Sequence, residues 1–248
     1  MRVNNLAISV LTFALALAVP ALADSVSEYV QDPSTSNNTG KIVGKVWASG
    51  NFQRPRPLKV FKNRIFCGSS VPDETLLINR EGGLRNAVVT LSPLDRVVTL
   101  QPGRIILDNK QCAFVPHVQV AVVDSELLLK NSDPILHTVH ARLGNDTLFN
   151  VGLPKWRQVA KSLRRAGVIR IDCDVLHTWM SAVIIVTSTP YHSVTDENGY
   201  FTVHDLPAGV YEMEVWHERL GTKSAGVSVA ENLAVSLDVV YALNHGKP

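Results

Sequence analysis

The sequence has almost no excess of charge of either sign. Its 248 residues include 24 Lys and Arg and 22 Asp and Glu, which gives a formal net charge of only +2. Proteins that bind nucleic acid or anionic membranes through charge usually carry a clear basic excess. We therefore expect neither nucleic acid nor an anionic membrane surface as a partner.

Long apolar runs are also absent after residue 19. Residues 6–19 are apolar, follow a basic Arg2, and lead into the small-x-small pattern PALA, which ends at Ala23. The run is too short to span a bilayer comfortably, and the segment is typical of a signal peptide cleaved near Ala23. An uncleaved anchor is the alternative. We predict an exported protein, periplasmic in a Gram-negative source, with no transmembrane segment after cleavage.

Helical periodicity is nearly missing as well. Only residues 155–165 (KWRQVAKSLRR) follow a helical pattern. Elsewhere, short runs rich in Val, Ile and Thr alternate with Gly, Pro, Asn and Asp at intervals typical of β-sandwiches. The sequence therefore predicts an all-β fold. Its predicted strands are residues 41–47, 75–78, 86–91, 104–108, 117–123, 126–130, 168–173, 182–187, 200–203, 210–216 and 233–243.

Two turn-and-strand segments lie close together near the C-terminus. Residues 195–201 have the pattern T-D-x-x-G-x-F, and residues 206–211 have the pattern L-P-x-G-x-Y. This arrangement resembles the transthyretin-like module of carboxypeptidase regulatory-like domains, and residues 40–46 (GKIVGKV) resemble the first strand of that module. The resemblance implies one module whose two ends flank the middle of the chain. A single composite sandwich is the alternative.

Cysteine is scarce, and its number is odd. The chain has only Cys67, Cys112 and Cys173. Outside the cytoplasm cysteines tend to pair, so an odd number leaves one as a reactive thiol or a metal ligand. If Cys173 is the one left over, as the motif described next indicates, Cys67 and Cys112 form a disulfide that closes a loop of roughly 45 residues and contributes about 4 kcal/mol. Two unpaired thiols are the alternative.

The third cysteine belongs to a motif that can bind a metal. Cys173, His177 and Met180 have the spacing C-x3-H-x2-M and lie between two predicted strands. A short loop of this kind can hold a thiolate, an imidazole and a thioether within reach of one ion. These are donors of a type 1 copper site, which needs one Cys, two His and a weak axial Met.

The missing histidine is supplied by an earlier stretch. Residues 131–139 (NSDPILHTV) have the pattern N-x-D-x3-H-x-V, upstream of the Cys-His-Met loop. This order resembles the cupredoxin family, plastocyanins and amicyanins in particular, over roughly residues 114–187. The resemblance implies a Greek-key sandwich that holds one copper ion. It implies the following ligands: His137, Cys173 and His177 as strong donors and Met180 as the axial donor.

The same resemblance implies residues that support the ligands. Asn131 and Asp133 would lie near the ligand loop, where they orient ligands and tune the ion. Trp179 lies between His177 and Met180, and from this position, rather than from the resemblance, we expect it to shield the copper or to offer an electron path. A packing anchor is the alternative.

The ligand loop departs from the family in its length. Plastocyanins and amicyanins have two residues between Cys and His, whereas this loop has three. The spacing matches the binuclear copper loop of cytochrome oxidase subunit II, which needs another Cys at the position of Ile169. We therefore predict a mononuclear site. Red copper proteins similar to nitrosocyanin share the C-x3-H spacing, so the spectroscopic type stays open.

The other histidines have two interpretations. His140 lies three residues after His137, so on a strand the two point to opposite faces and only one enters the site. A second, type 2 copper site is one hypothesis, and satisfied structural histidines are the other. The candidates for a second metal site are His117, His140, His192 and His217.

These patterns predict the following organisation: residues 1–23 a signal peptide, 24–40 a flexible lead-in, 41–100 an N-terminal β segment of the flanking module, 101–189 a cupredoxin-like copper domain, and 190–248 a carboxypeptidase regulatory-like β module.

The preferred functional hypothesis is an exported electron carrier that is not an enzyme. Its partner would be a redox protein such as a cytochrome. The basic residues between 155 and 170 would steer an acidic partner or simply be solvated. There are three alternatives: a copper delivery or storage protein, a two-site copper oxidoreductase, and a copper-free envelope binding or structural module. Clusters of Met and His would support delivery or storage, but the chain has only three methionines.

Overall fold

A computed structural model describes residues 28–31 and 39–243 of the chain. The predicted signal peptide, most of the predicted lead-in and the last five residues lie outside the described residues. Within the described residues, no helix is long and apolar enough to cross a membrane.

The described residues are almost entirely β, which confirms the predicted fold class. One short helix, α1 (Arg64–Cys67), accompanies the strands. The strands are β1 (Glu28–Gln31), β2 (Thr39–Gly50), β3 (Leu58–Lys59), β4 (Ser70–Val71), β5 (Val88–Pro93), β6 (Arg104–Lys110), β7 (Ala113–Val115), β8 (Val118–Val122), β9 (Glu126–Asn131), β10 (His137–Leu143), β11 (Asp146–Leu153), β12 (Gln158–Ser162), β13 (Gly167–Asp172), β14 (Ser181–Thr187), β15 (Tyr191–Val194), β16 (Tyr200–Pro207), β17 (Gly209–His217), β18 (Gly221–Val229), β19 (Ala234–Leu237) and β20 (Val239–Leu243).

Two sheets are built from residues 104–187. One has the strand order β11-β10-β13-β14-β8, and the other has the order β12-β9-β6-β7. Strand β9 alternates buried and half-buried residues, as expected where one face meets a core. The apolar faces enclose one cluster that contains the largest buried side chains of this part, among them Phe114, Leu127, Leu129, Ile169 and Ile171.

Residues on either side of this part build two further sheets. Strands β1, β19, β2 and β16 are neighbours in one sheet, with β20 also paired to β2, and the order β15-β5-β17-β18 forms the other. Their shared core is a separate cluster around Tyr211 and Phe201. Strand pairing thus keeps residues 104–187 apart from the flanking strands. The domain limits and the transthyretin-like likeness of the flanking sheets stay predictions.

Several local predictions were wrong. Residues 155–165 are not helical, because Gln158–Ser162 form the edge strand β12, in which Val159 pairs opposite Leu129 of β9. Pairing with an apolar neighbour overrides the weak helical pattern. Residues 75–78 form no strand. The backbone N–H and the hydroxyl of Thr75 both donate to Asp73 Oδ1, and Ile78 makes only an isolated β-bridge to Leu84.

Two further differences concern the ends of the described chain. Strand β1 pairs with β19 inside the region predicted as a flexible lead-in. The single strand predicted over residues 233–243 is divided into β19 and β20, which pair in parallel with successive parts of β2.

A disulfide links α1 to the turn between β6 and β7. Cys67 and Cys112 are bonded, and Cys173 is free and buried. Cys67, Cys112 and Cys173 all belong to the core cluster of the central sheets. The bridge therefore attaches the segment before β5 to the sandwich formed by residues 104–187.

Replacing both bridged cysteines (Cys67→Ala with Cys112→Ala) should lower the free energy of unfolding by about 4 kcal/mol, because a bridge across 45 residues restricts the unfolded chain. Urea unfolding of metal-free protein, followed by tryptophan fluorescence, measures this loss. Wild type in the same metal-free state is the reference, so bound metal contributes to neither curve. An unchanged midpoint would contradict the prediction.

Candidate metal centre

Antiparallel pairing of two central strands creates the site. Strand β10 begins at His137, and its neighbour β13 ends at Asp172, with His140 opposite Asp172 in the register. The start of β10 therefore lies beside the loop that follows β13. That loop carries Cys173 and His177 and ends where β14 begins. Residues that are 36 positions apart are brought together in this way.

Three donor atoms converge in this space. Cys173 Sγ lies 4.0 Å from Nδ1 of His137 and 3.7 Å from Nδ1 of His177, and the two Nδ1 atoms are 3.1 Å apart. The relative exposures of His137, His177 and Cys173 are 0%, 1% and 4%. Among the described residues, no other set of three His, Cys, Asp or Glu side chains gathers its ligand atoms so closely.

The outer nitrogen of each imidazole is already occupied. His137 Nε2 lies 2.9 Å from Oδ2 of Asp133, and His177 Nε2 lies 2.9 Å from Oδ1 of Asn63. Both oxygens accept hydrogen bonds, so both Nε2 atoms carry a proton and donate. In the neutral rings the lone pairs of both Nδ1 atoms then point toward Cys173 and toward each other.

Asp133 is held by more than His137. Its Oδ1 accepts from the backbone N–H of Gln111 at 2.7 Å, and its Oδ2 accepts from that of Cys112 at 2.9 Å. Burial acts to raise the pKa of Asp133, but the hydrogen bonds from His137, Cys112 and Gln111 together lower it below its ordinary value. The carboxyl group is thus kept ionised as an acceptor for His137.

Asn131 shapes the chain before His137. Its Nδ2 donates to the carbonyls of Ile135 and Leu153, each at 2.8 Å, and its Oδ1 accepts from the N–H of Asp133 at 2.9 Å. These bonds fix the bend between β9 and β10. Asn131 therefore acts on the centre through the backbone of the loop.

The Cys173 sulfur is surrounded by donors. The backbone N–H of Thr138 lies 3.4 Å from Sγ, and the Thr138 hydroxyl lies 3.7 Å from it. Burial acts to raise the pKa of Cys173, yet the bonds from His137 and from the N–H groups of Thr138 and Val175 hold it below its ordinary value. The pKa of His137 is raised, because Asp133 and Cys173 outweigh the opposing effect of burial.

The structure also positions the other two predicted residues of the loop. Trp179 donates from Nε1 to the carbonyl of Cys112 at 3.1 Å, and its ring centroid is 5.1 Å from that of His177. Trp179 therefore packs against a donor ring. Met180 is buried in the same cluster, and its N–H donates to the carbonyl of His177 at 2.8 Å. Its role as axial ligand stays a prediction.

Asn63 is the member of the site that sequence reasoning missed. It lies 114 residues from His177, in a segment that was assigned to the N-terminal β part. No local spacing connects the two positions, and the only signal in the sequence is the nearby Cys67.

Three of the other candidate histidines have different partners. His117 lies 2.7 Å from a carboxylate oxygen of Glu218, His140 is bonded to Asp174 and Thr147, and His217 accepts from the N–H of Arg219. The structure does not bring His117, His140, His192 or His217 together as a three-ligand group. His140 also points away from Cys173, while His137 faces it.

Comparisons with known proteins find only partial structural similarity at low sequence identity. No protein-family model matches the sequence, and no curated protein is similar to it in sequence. A purple cupredoxin from Nitrosopumilus maritimus is 19% identical, with a TM-score of 0.30, and the match covers 34% of this chain and 99% of that one.

Two other solved structures show similarity of the same extent. A reduced mutant of amicyanin is 18% identical at a TM-score of 0.31, over 40% of this chain and 98% of that one. A copper-containing nitrite reductase from Thermus scotoductus is 17% identical at a TM-score of 0.32, over 39% of this chain and 25% of that one. Similarity at this level establishes neither family membership nor function.

Acidification should destabilise the metal-free protein through His177. Burial, then the charges of His137 and Lys62, lower the pKa of His177 from 6.5 to about 4. Between these pH values His177 is protonated in the unfolded chain but stays neutral in the folded protein. This group should therefore reduce the free energy of unfolding by up to about 1.4 kcal/mol per pH unit as the pH falls.

Urea unfolding at several pH values measures this effect. His177→Gln should flatten the loss between pH 6.5 and 4, whereas the exposed control His204→Gln should parallel wild type. Equal slopes for His177→Gln and wild type would contradict the prediction.

Proposed function

We propose that this protein binds one copper ion through His137, Cys173 and His177, with Met180 as a weak fourth ligand, and that it is an exported electron carrier. One observation carries the proposal. Both imidazoles are locked by their Nε2 hydrogen bonds, so both Nδ1 lone pairs face the Cys173 sulfur in a buried space.

The donor set fits a single metal ion. Donors that share one ion at bond lengths of about 2.0 Å for nitrogen and about 2.3 Å for sulfur lie about 3 to 4 Å apart. The three distances here range from 3.1 to 4.0 Å. Two facing lone pairs repel each other, so the space favours a proton or a cation between them. Copper bound there would supply a one-electron couple between Cu(I) and Cu(II).

The donors favour copper over structural zinc. Structural zinc sites take four strong ligands in a tetrahedron. In the part of the chain that the structure describes, no fourth His, Cys, Asp or Glu atom joins the group. A soft thioether from Met180 beside one thiolate and two imidazoles is the set that blue copper sites use.

Burial supports a carrier over a delivery protein or an enzyme. The three donors are at most 4% exposed, and His177 is covered by Asn63. An exchanging chaperone or a substrate needs contact with the ion, whereas electron transfer does not. The disulfide is typical of oxidising compartments and supports export.

The partner is proposed to be a redox protein, such as a cytochrome, that docks near the ligand loop. Leu176 lies within the loop and is 65% exposed, and Leu136 lies next to His137 and is 50% exposed. Exposed apolar side chains that form a contiguous patch are a common feature of docking surfaces.

Titration of the metal-free mature protein with Cu(II) should give one bound ion per chain and an intense thiolate-to-copper absorption in the visible range. Cys173→Ser should abolish the absorption, because the thiolate is the source of the band. Absorption and electron paramagnetic resonance measure both results. The exposed His204→Gln should keep the wild-type spectrum, and a colourless wild type that takes up no copper would refute the proposal.

Met180→Leu should raise the reduction potential of the copper protein, because a weak donor to Cu(II) is lost. Protein-film voltammetry measures the reversible couple. Met213→Leu is the matched control, since Met213 is equally buried but lies in the core of the flanking sheets. Both changes conserve volume and should each cost less than about 1.5 kcal/mol of stability. Equal potentials for the two variants would exclude Met180 as a ligand.

A further inference from the structure

A short segment of the chain covers the metal centre from outside the central sheets. We call residues 58–71 the capping segment. Its ends, β3 and β4, pair antiparallel, with Leu58 opposite Val71, and α1 lies between them. Val60 and Cys67 are buried in the core cluster that also contains Cys173, while residues 61–66 are exposed. The segment is thus fixed at its base and open to solvent at its outer side.

The capping segment makes two contacts with the ligand loop. Asn63 Oδ1 accepts the hydrogen bond from Nε2 of His177 at 2.9 Å, and Lys62 Nζ donates to the carbonyl of Val175 at 3.3 Å. Asn63 has a φ of 55° and a ψ of 32°, a left-handed conformation that asparagine tolerates better than most residues. The backbone thus aims this side chain at the imidazole.

The disulfide fixes the position of Asn63. The carbonyl of Asn63 accepts from the N–H groups of Phe66 and Cys67, each at 2.9 Å. Cys67 is bonded to Cys112, so one turn of helix connects Asn63 to the bridge. Without the bridge, this turn would lose its one covalent link to the central sheets and would be held by the β3–β4 pair, a few buried side chains and the two contacts with the ligand loop.

The other end of the same bridge supports the other histidine. The N–H of Cys112 donates to Asp133 Oδ2, which accepts from Nε2 of His137. Each half-cystine is therefore two hydrogen bonds away from one of the two imidazoles. The same covalent link supports the outer nitrogens of both predicted histidine ligands.

We infer that Asn63, held in place by the Cys67–Cys112 disulfide, is a positioning residue that fixes His177 in the Nε2–H tautomer with Nδ1 facing Cys173. A carbonyl oxygen at this position accepts only from a protonated Nε2, which leaves Nδ1 free to bind a metal. The consequence for metal affinity rests on the proposed function, but the tautomer itself does not.

Long-range proton–nitrogen NMR of the metal-free protein at pH 7 tests the tautomer directly. In wild type, His177 should carry its proton on Nε2. In Asn63→Gly, which keeps a left-handed backbone and removes the acceptor, the single tautomer should be lost. Asn63→Asp retains an oxygen acceptor at this position, so His177 should keep its proton on Nε2 in that variant. The matched control is Asn86→Gly, the same change at an asparagine with a φ of 64° outside the site.

Copper titration of the same proteins gives the second readout. Asn63→Gly should bind copper about 10- to 100-fold more weakly than wild type, as is typical when the partner of a metal-bound histidine is removed. Asn63→Asp and Asn86→Gly should stay close to wild type.

Two results would overturn the inference. One is a wild-type His177 with its proton on Nδ1, which needs no variant to detect. The other is an Asn63→Gly protein that matches Asn86→Gly in both tautomer and affinity. A wild type that binds no copper would refute the proposed function instead, and the NMR comparison would still decide the role of Asn63.

Discussion

The candidate metal centre depends on the hydrogen bonds accepted by one buried carboxylate. Asp133 accepts from the N–H groups of Gln111 and Cys112 in the β6–β7 turn and from the imidazole of His137. A buried carboxylate without such donors would be costly to keep ionised. Because three donors satisfy it, Asp133 can orient His137 and at the same time join the ligand strand to the turn that carries the disulfide.

The centre combines rigid and adjustable parts. His137 lies at the start of a central strand, and Cys173 directly follows another, so the sandwich sets their positions. His177 belongs to a loop and has no strand partner. Its orientation depends on packing by Trp179 and on the bond to Asn63. The imidazole on the loop therefore receives from the capping segment a support that its own strand neighbours do not provide.

The grouping of His137, Cys173 and His177 could be predicted from the sequence because its signals are local. Cys173, His177 and Met180 lie within eight positions, and His137 belongs to a compact pattern with Asn131 and Asp133. Asn63 could not be predicted, since its contact with His177 spans 114 residues and depends on how a disulfide places one turn of helix. The strand β12 was mistaken for a helix because its pairing with β9, rather than its own pattern, decides its conformation.

The flanking sheets also reach the end of the ligand loop. Glu218, just after β17, is bonded to His117, and His117 Nδ1 lies 3.1 Å from the carbonyl of Ser181, the residue after Met180. The carbonyl of His117 also accepts from the N–H of Val183 in β14. A single hydrogen bond of this kind contributes only about 1 kcal/mol of net stability, because it replaces hydrogen bonds to water. Its consequence here is positional: it fixes the start of β14, and with it the end of the loop that carries Met180, against the flanking part of the chain.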